Sequence, residues 1–186
     1  DFRLRAIDGE GMADPEPAIL IIPIKNTPPE AQFNVELMPQ DTVYSVVSAS
    51  WALNDIDGDQ SIEQVFIKLN EGDWYQIDKD RSFVSLIADQ PEQIGAGNAK
   101  VYYGSNDPES DLINDFRVNE SNTLYLKAVD IAGAESLVDT SEAFFVKPVT
   151  ADLLVIAAHP GDKQFYISNL NSEYPNYDLI DYYVND

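Results

Sequence analysis

Apolar and polar residues alternate with a period of two along most of this chain, and the alternation is clearest in a stretch that occurs twice. Phe2, Leu4 and Ala6 alternate with Arg3 and Arg5; Leu124, Leu126 and Ala128 alternate with Tyr125 and Lys127. This is the period of a strand with one wet face. Both stretches run into the same phrase, L-[RK]-A-[IV]-D-x-x-G, at residues 4–11 and 126–133, an offset of 122 from Leu4 to Leu126. Asp bonds the backbone that follows it and Gly accepts positive φ, so each phrase predicts a turn. A second apolar run then returns, at residues 19–24 and 143–146. A repeat of this length predicts tandem β-modules, with residues 1–25 forming the terminal hairpin of a preceding repeat.

Between the two copies the pattern predicts a series of short strands. Asp14-Pro15-Glu16-Pro17 stiffens the first hairpin, and Asn26-Thr27-Pro28-Pro29-Glu30 reads as a stiff linker, because consecutive prolines hold an extended chain. Strands are expected over 31–37, 43–53, 62–69, 74–77 and 82–87. Val43, Val47, Ala49, Trp51 and Leu53 share one face, and Trp51 is the expected centre of the core. Asn70-Glu71-Gly72-Asp73 signals a hairpin turn. Residues 89–111, rich in Gly, Asn and Pro, read as an insertion in which only Val101-Tyr102-Tyr103 looks like a strand. Strands over 112–118 and 124–129, joined by a turn at 119–122, and a closing strand over 142–147 complete the series. Strands at this spacing, without helical period, predict a Greek-key β-sandwich over 26–148.

Beyond Pro148 the texture changes. Residues 153–158 are apolar on both faces, which predicts a strand buried between helix layers. A helix over 162–173, with Phe165, Tyr166 and Leu170 as its apolar side, and a strand over 177–184 make 149–186 the expected start of an α/β domain. The whole is predicted to be mainly β, an N-terminal hairpin and a sandwich followed by a short α/β segment. Strands at both ends of the sequence lead us to expect that the natural termini lie beyond it.

Composition narrows the partners. Thirty-three acidic against eleven basic residues give a formal charge of −22. That charge repels phosphate backbones and anionic lipid, which argues against nucleic acid as a partner. No apolar run reaches the length that membrane insertion needs. The chain has no cysteine and one histidine, so thiolate and His-rich metal sites are excluded within it.

Asn26-Thr27-Pro28-Pro29, Ser50-Trp51, Asn54-Asp55-Ile56-Asp57-Gly58-Asp59 and the phrase at 126–133 together resemble the fibronectin type III and related Ig-like repeats of bacterial surface, secreted and phage virion proteins. The resemblance covers residues 27–148, and residues 1–25 match the end of a preceding copy. The family often carries a corner tyrosine six positions before the strand's alanine; Asn122 stands there in this chain. The resemblance implies a spacer, adhesion or decoration module at a cell surface, outside the cell or in a virion. Its partners would be neighbouring repeats or subunits.

Four constellations bear on candidate chemistry. Asp55, Asp57 and Asp59, with Asn54 and Glu63 close in sequence, present hard oxygen ligands of the kind calcium takes, and the same residues also read as a polar turn built on Asp57-Gly58. Asp107, Glu109 and Asp111 read as a solvated loop. Residues 153–162 resemble the H-P-D-D-E metal motif of the N-acetylglucosaminyl-phosphatidylinositol deacetylase family. That resemblance implies zinc on His159 and Asp162, with Gly161 in place of the base and Lys163 in place of the glutamate. The strand-helix-strand spacing there also resembles the opening of glutamine-amidotransferase-like and flavodoxin-like domains. Trp74, Tyr75, Tyr102 and Tyr103 are the rings that would form a carbohydrate-binding patch if they gather on one surface. No phosphate loop, Ser-His-Asp set or paired-carboxylate site is legible, so catalytic residues are expected to be none. The leading expectation is a non-enzymatic structural module. Its rivals are an accessory domain of a secreted hydrolase whose catalytic part begins near residue 150, and a calcium-rigidified adhesin repeat.

Overall fold

The computed structural model describes residues 2–21, 25–39, 41–105, 107–157, 159, 161–170, 174 and 176–181. The fold is mainly β and is organised around the strand that carries Trp51. This strand, β5 (Val46–Asn54), has β3 (Glu30–Phe33) on one edge and β8 (Phe83–Ala88) on the other, both antiparallel. Its inward residues are Val47, Ala49 and Trp51, and Trp51 is 2% exposed. β9 (Gly95–Tyr102) and β10 (Leu112–Val118) extend the sheet to five strands in the order β10-β9-β8-β5-β3.

The second layer is a four-stranded antiparallel sheet. β6 (Ile62–Leu69) pairs with β7 (Tyr75–Ile77) and with β12 (Leu124–Asp130), and β12 pairs in turn with β13 (Asp139–Thr140). β6 and β12 bury every second residue: Val65, Ile67 and Leu69 meet Leu124, Leu126 and Ala128 in one cluster with the inward face of the first sheet. A small ribbon closes one side. β14 (Phe144–Val146) pairs with β11 (Ser121–Asn122) and, in parallel, with β4 (Thr42–Val43).

The predicted strand over 43–53 is two strands. Thr42–Val43 belongs to the ribbon beside β14, the chain then changes sheet through Tyr44-Ser45, and Val46–Asn54 joins the larger sheet. Ser45 is buried at this crossing, where its carbonyl accepts the Ala88 N–H. The predicted strand over 31–37 also stops early. After Phe33 the chain forms a 3-10 turn at Val35–Leu37 that leaves Val35 and Leu37 exposed, because they find no strand to lie against. The segment 89–111 is no irregular insertion: β9 runs between β8 and β10, pairing with β8 over Ala99–Tyr102 and with β10 over Gly95–Lys100, with a bulge between Asn114 and Phe116. Its N-terminal half, Gly-Ala-Gly-Asn-Ala, has too little apolar surface to announce a strand, and the pairing is backbone-driven.

Two smaller units flank this body. β1 (Phe2–Leu4) and β2 (Ala18–Leu20) form the expected hairpin, with every residue of both strands exposed; residues 22–24 of the predicted return strand lie outside the described residues. At the other end β15 (Leu154–Ala157), α1 (Asp162–Leu170) and β16 (Asp178–Asp181) make a β-α-β unit whose two strands are parallel. β15 buries Val155 and Ala157 but exposes Leu154 and Ile156, so only one face is covered, against the expectation of a strand buried on both. No residue of α1 is buried. The predicted extensions over 171–173 and 182–184, and Ala158, lie outside the described residues. Among the described residues, no helix is long and apolar enough to cross a membrane.

Candidate functional site

The linker between the hairpin and the body lies across two acidic turns, and the bonds there are the most specific polar contacts that the acidic motifs make. After β5 the chain turns at Asp55-Ile56-Asp57-Gly58, with Gly58 at φ 112°, a conformation that favours glycine. Asp55 is buried. Its Oδ1 accepts the Asp57 N–H at 2.8 Å and its Oδ2 the Ser61 hydroxyl, while its own N–H donates to Asp59 Oδ1 at 3.1 Å. Asp57 faces the linker, where its Oδ2 accepts the Thr27 N–H at 2.7 Å.

The second turn follows β12. Asp130 is buried, and its Oδ1 accepts the N–H groups of Ala132 and Ala134, both at 2.8 Å. Its Oδ2 accepts the Asn26 side-chain amide at 2.6 Å. The Asn26 amide, aided by the turn's own N–H groups, holds the Asp130 carboxyl below the ordinary carboxylate range. A backbone bond from Ile131 N–H to the Ser61 carbonyl ties the two turns together. A carboxyl depressed in the folded state stabilises the fold above its unfolded pKa, and that contribution is lost as pH falls through the folded value. Asp130→Asn is therefore expected to lower the melting temperature by several degrees at pH 7, and to narrow the gap to the parent protein as the pH falls below about 4. Thermal melts across that pH range check it.

Asp55, Asp57 and Asp59 thus direct their described bonds at N–H and O–H donors. Among the described residues, no group of three or more His, Asp or Glu side chains is placed to hold a metal ion. The polar-turn reading accounts for the geometry without a cation. A ligand bound only by the native state raises its melting temperature; the expected result with millimolar calcium is no rise, and a clear rise would restore the calcium reading. Asp107, Glu109 and Asp111 are exposed.

The repeated phrase is a structural repeat down to its hydrogen bonds. Asp8 Oδ1 accepts the N–H groups of Glu10 and Met12, the residues two and four positions on, as Asp130 Oδ1 does from Ala132 and Ala134. Gly11 donates to the Asp8 carbonyl and Gly133 to the Asp130 carbonyl; their φ angles are 84° and 81°. Asp8 N–H bonds the Met12 carbonyl as Asp130 N–H bonds that of Ala134.

The remaining candidates scatter. His159 is exposed; its N–H donates to Asp162 Oδ2 at 3.0 Å and its carbonyl accepts the Asp162 N–H, so Asp162 ties off the start of α1. Trp74 lies among lysines: Lys68 Nζ sits 5.4 Å and Lys127 Nζ 5.0 Å from the ring centroid, and the same ammonium groups approach Tyr125 and Phe66. Tyr75 and Tyr103 instead pack against the core. Burial pushes the Tyr103 phenol up to about 12, although its oxygen accepts the Asp78 N–H. Trp74 on one hand and Tyr75 and Tyr103 on the other therefore sit in two different settings.

A polar network at the opposite turn was not legible as a site. Asn70, at φ 46°, donates from Nδ2 to the Asp115 carbonyl and to Asn122 Oδ1, and its Oδ1 accepts the Thr123 N–H. Asp115, at φ 62°, occupies a bulge in β10, where Arg117 grips its carboxylate with two nitrogens at 2.8 and 2.9 Å. Gly72 sits so close that a Cβ would stand 2.6 Å from Asn114 Oδ1. The signal in the sequence was the pair of asparagines at turn positions, each able to adopt the left-handed region or to bond backbone.

No protein-family model matches the chain, no curated protein matches its sequence, and no solved structure matches its fold.

Proposed function

We propose that residues 26–148 are a Greek-key sandwich of the Ig-like, fibronectin III-like kind, acting as a non-enzymatic spacer in a tandem array within a large extracellular or virion protein. Strand pairing supports the fold: β3-β5-β8 in one layer, β7-β6-β12-β13 in the other, and β4 running parallel beside the last strand. The observation that carries the spacer reading is the joint. The incoming linker is bonded at consecutive residues, Asn26 and Thr27, by carboxylates from two separate turns of the module, and one of those turns recurs in the preceding hairpin. A spacer needs a fixed entry angle between neighbours, and this arrangement supplies one.

The same reading predicts how the module meets tension. β4 lies near its start and β14 at its end, paired in parallel at Thr42↔Phe145 and Val43↔Val146. The Phe145 N–H donates to the Asp41 carbonyl at 2.6 Å and the Lys147 N–H to the Val43 carbonyl at 2.7 Å. Pulling the two ends apart loads these bonds together, in shear. In single-molecule stretching of the full chain, the expected trace has one force peak that releases roughly 350 Å of contour length, the extended span of the residues between the two strands. Extension without a peak would remove the spacer reading.

A further inference from the structure

The N-terminal hairpin leaves an apolar face open, and the same chain shows what covers such a face. Phe2 is 67% and Leu4 77% exposed, yet their counterparts in the second copy, Leu124 and Leu126, are fully buried. Two things bury them: β6, which pairs with β12 as Leu124↔Leu69, Leu126↔Ile67 and Ala128↔Val65, and the facing layer, where β3 lies against β12. β1 has the sequence period and the following turn of β12, and among the described residues only β2 pairs with it. A two-stranded hairpin on its own is marginal in water.

We infer that this hairpin is one half of an interface whose other half is a sandwich of the same kind, lacking its last hairpin. The inference rests on the modular reading given above and adds the partner and its register to it. The incoming strand runs antiparallel to β1 with apolar residues opposite Phe2, Leu4 and Ala6, in the places that Leu69, Ile67 and Val65 hold in the second copy. Phe2, Leu4, Ala18 and Leu20 lie on one face of the hairpin, because Phe2 pairs with Leu20 and Leu4 with Ala18. That face turns inward, and Arg5 stays outward like Lys127. Asp8 Oδ2 then takes a donor from the stretch leading into that sandwich, as Asp130 Oδ2 takes the Asn26 amide.

The repeat makes the test direct. Asp1 stands where Thr123 stands, so a second copy of residues 26–122 placed ahead of Asp1 in the full chain supplies everything the hairpin is inferred to complete. The readout is amide hydrogen exchange. In the fusion, the amides of residues 2–6 are expected to exchange at least about 100-fold more slowly than in the unfused chain. Leu4→Asp in the same fusion is expected to return them to the unfused rates, and Arg5→Asp to leave them slow. Fast exchange at residues 2–6 in the fusion overturns the inference, whether or not the added copy is itself protected. The original Val46–Asn54 strand reports separately. If its amides are unprotected in every arm, the modular reading is what has failed.

Discussion

Trp51→Ala is expected to cost about 3–5 kcal/mol, the range for emptying a buried indole position, and to lower the melting temperature by about 10 °C or more. Trp51 sits midway along β5 with Phe33 as its cross-strand neighbour, and it is the largest of the fully buried side chains. Its contacts reach both layers' cluster, so truncation leaves a void that the paired backbones on either side cannot close. A domain of this size has a total stability of roughly 5–15 kcal/mol, so this one change removes a large share of it. Trp51→Phe separates packing from polarity. Among the described residues the buried indole Nε1 has no hydrogen-bond partner, a cost that phenylalanine does not carry. Phe is therefore expected to cost less than about half of what Ala does. Urea titrations of the three proteins decide it, with unchanged slopes as the sign that only stability has moved. A Phe variant as unstable as the Ala variant would mean that the indole nitrogen has a partner in solution.

Where alternation was strong, the fold could be read from the sequence. β6 has the predicted bounds, and Trp51 is at the core, because a sheet with one wet face writes its burial directly into every second residue; β10 also has its predicted bounds, although the bulge at Asp115 breaks its period. Three kinds of information were not local. The break at Tyr44-Ser45 is a change of sheet inside a single alternating run, in which Val43, Ser45 and Val47 keep the period of two, so the alternation does not say where it occurs. β9 pairs through a Gly-rich backbone, and a backbone has no hydrophobic pattern. The exposed faces of β1 and β15 depend on what lies against them, which a periodicity of two or an apolar run does not specify. The acidic loop shows the same limit in chemistry. Alternating aspartates at 55, 57 and 59 fit calcium as well as a turn in sequence terms, and the difference lies in where the oxygens point. In the structure Asp55 accepts from Asp57 and Ser61 within its own turn, and Asp57 accepts from Thr27, 30 residues away, where no spacing rule reaches.

Asn122→Ala is expected to cost roughly 3 kcal/mol, although it deletes only a small polar side chain. Asn122 is 1% exposed and uses both ends of its amide. Oδ1 accepts the Arg117 N–H at 2.9 Å and the Asn70 Nδ2 at 3.0 Å; Nδ2 donates to the carbonyls of Arg117 at 2.8 Å and Glu120 at 3.2 Å. The residue thus ties the end of β10 to the stretch that leads into β12. Alanine leaves these partners without the bonds that Asn122 makes, and each buried group left unpaired costs about 1–3 kcal/mol before relaxation. Asn122→Asp gives a sharper test because it keeps the shape. One carboxylate oxygen still accepts the two N–H groups, but the other faces the carbonyls of Arg117 and Glu120 where a donor stood. The folded state therefore disfavours the charged form, which raises this carboxyl's folded pKa above its unfolded value. The deficit relative to the parent protein is full at neutral pH and shrinks as pH falls through that raised value, when the protonated acid again donates to a carbonyl. Asp130→Asn narrows its gap in acid because the parent loses a contribution; Asn122→Asp narrows its gap because the variant recovers a bond. Each protein's own melting temperature across pH tells the two apart: for Asp130→Asn the parent falls toward the variant, and for Asn122→Asp the variant rises toward the parent. A deficit for Asn122→Asp that stays constant with pH would show that the second oxygen does not face those carbonyls.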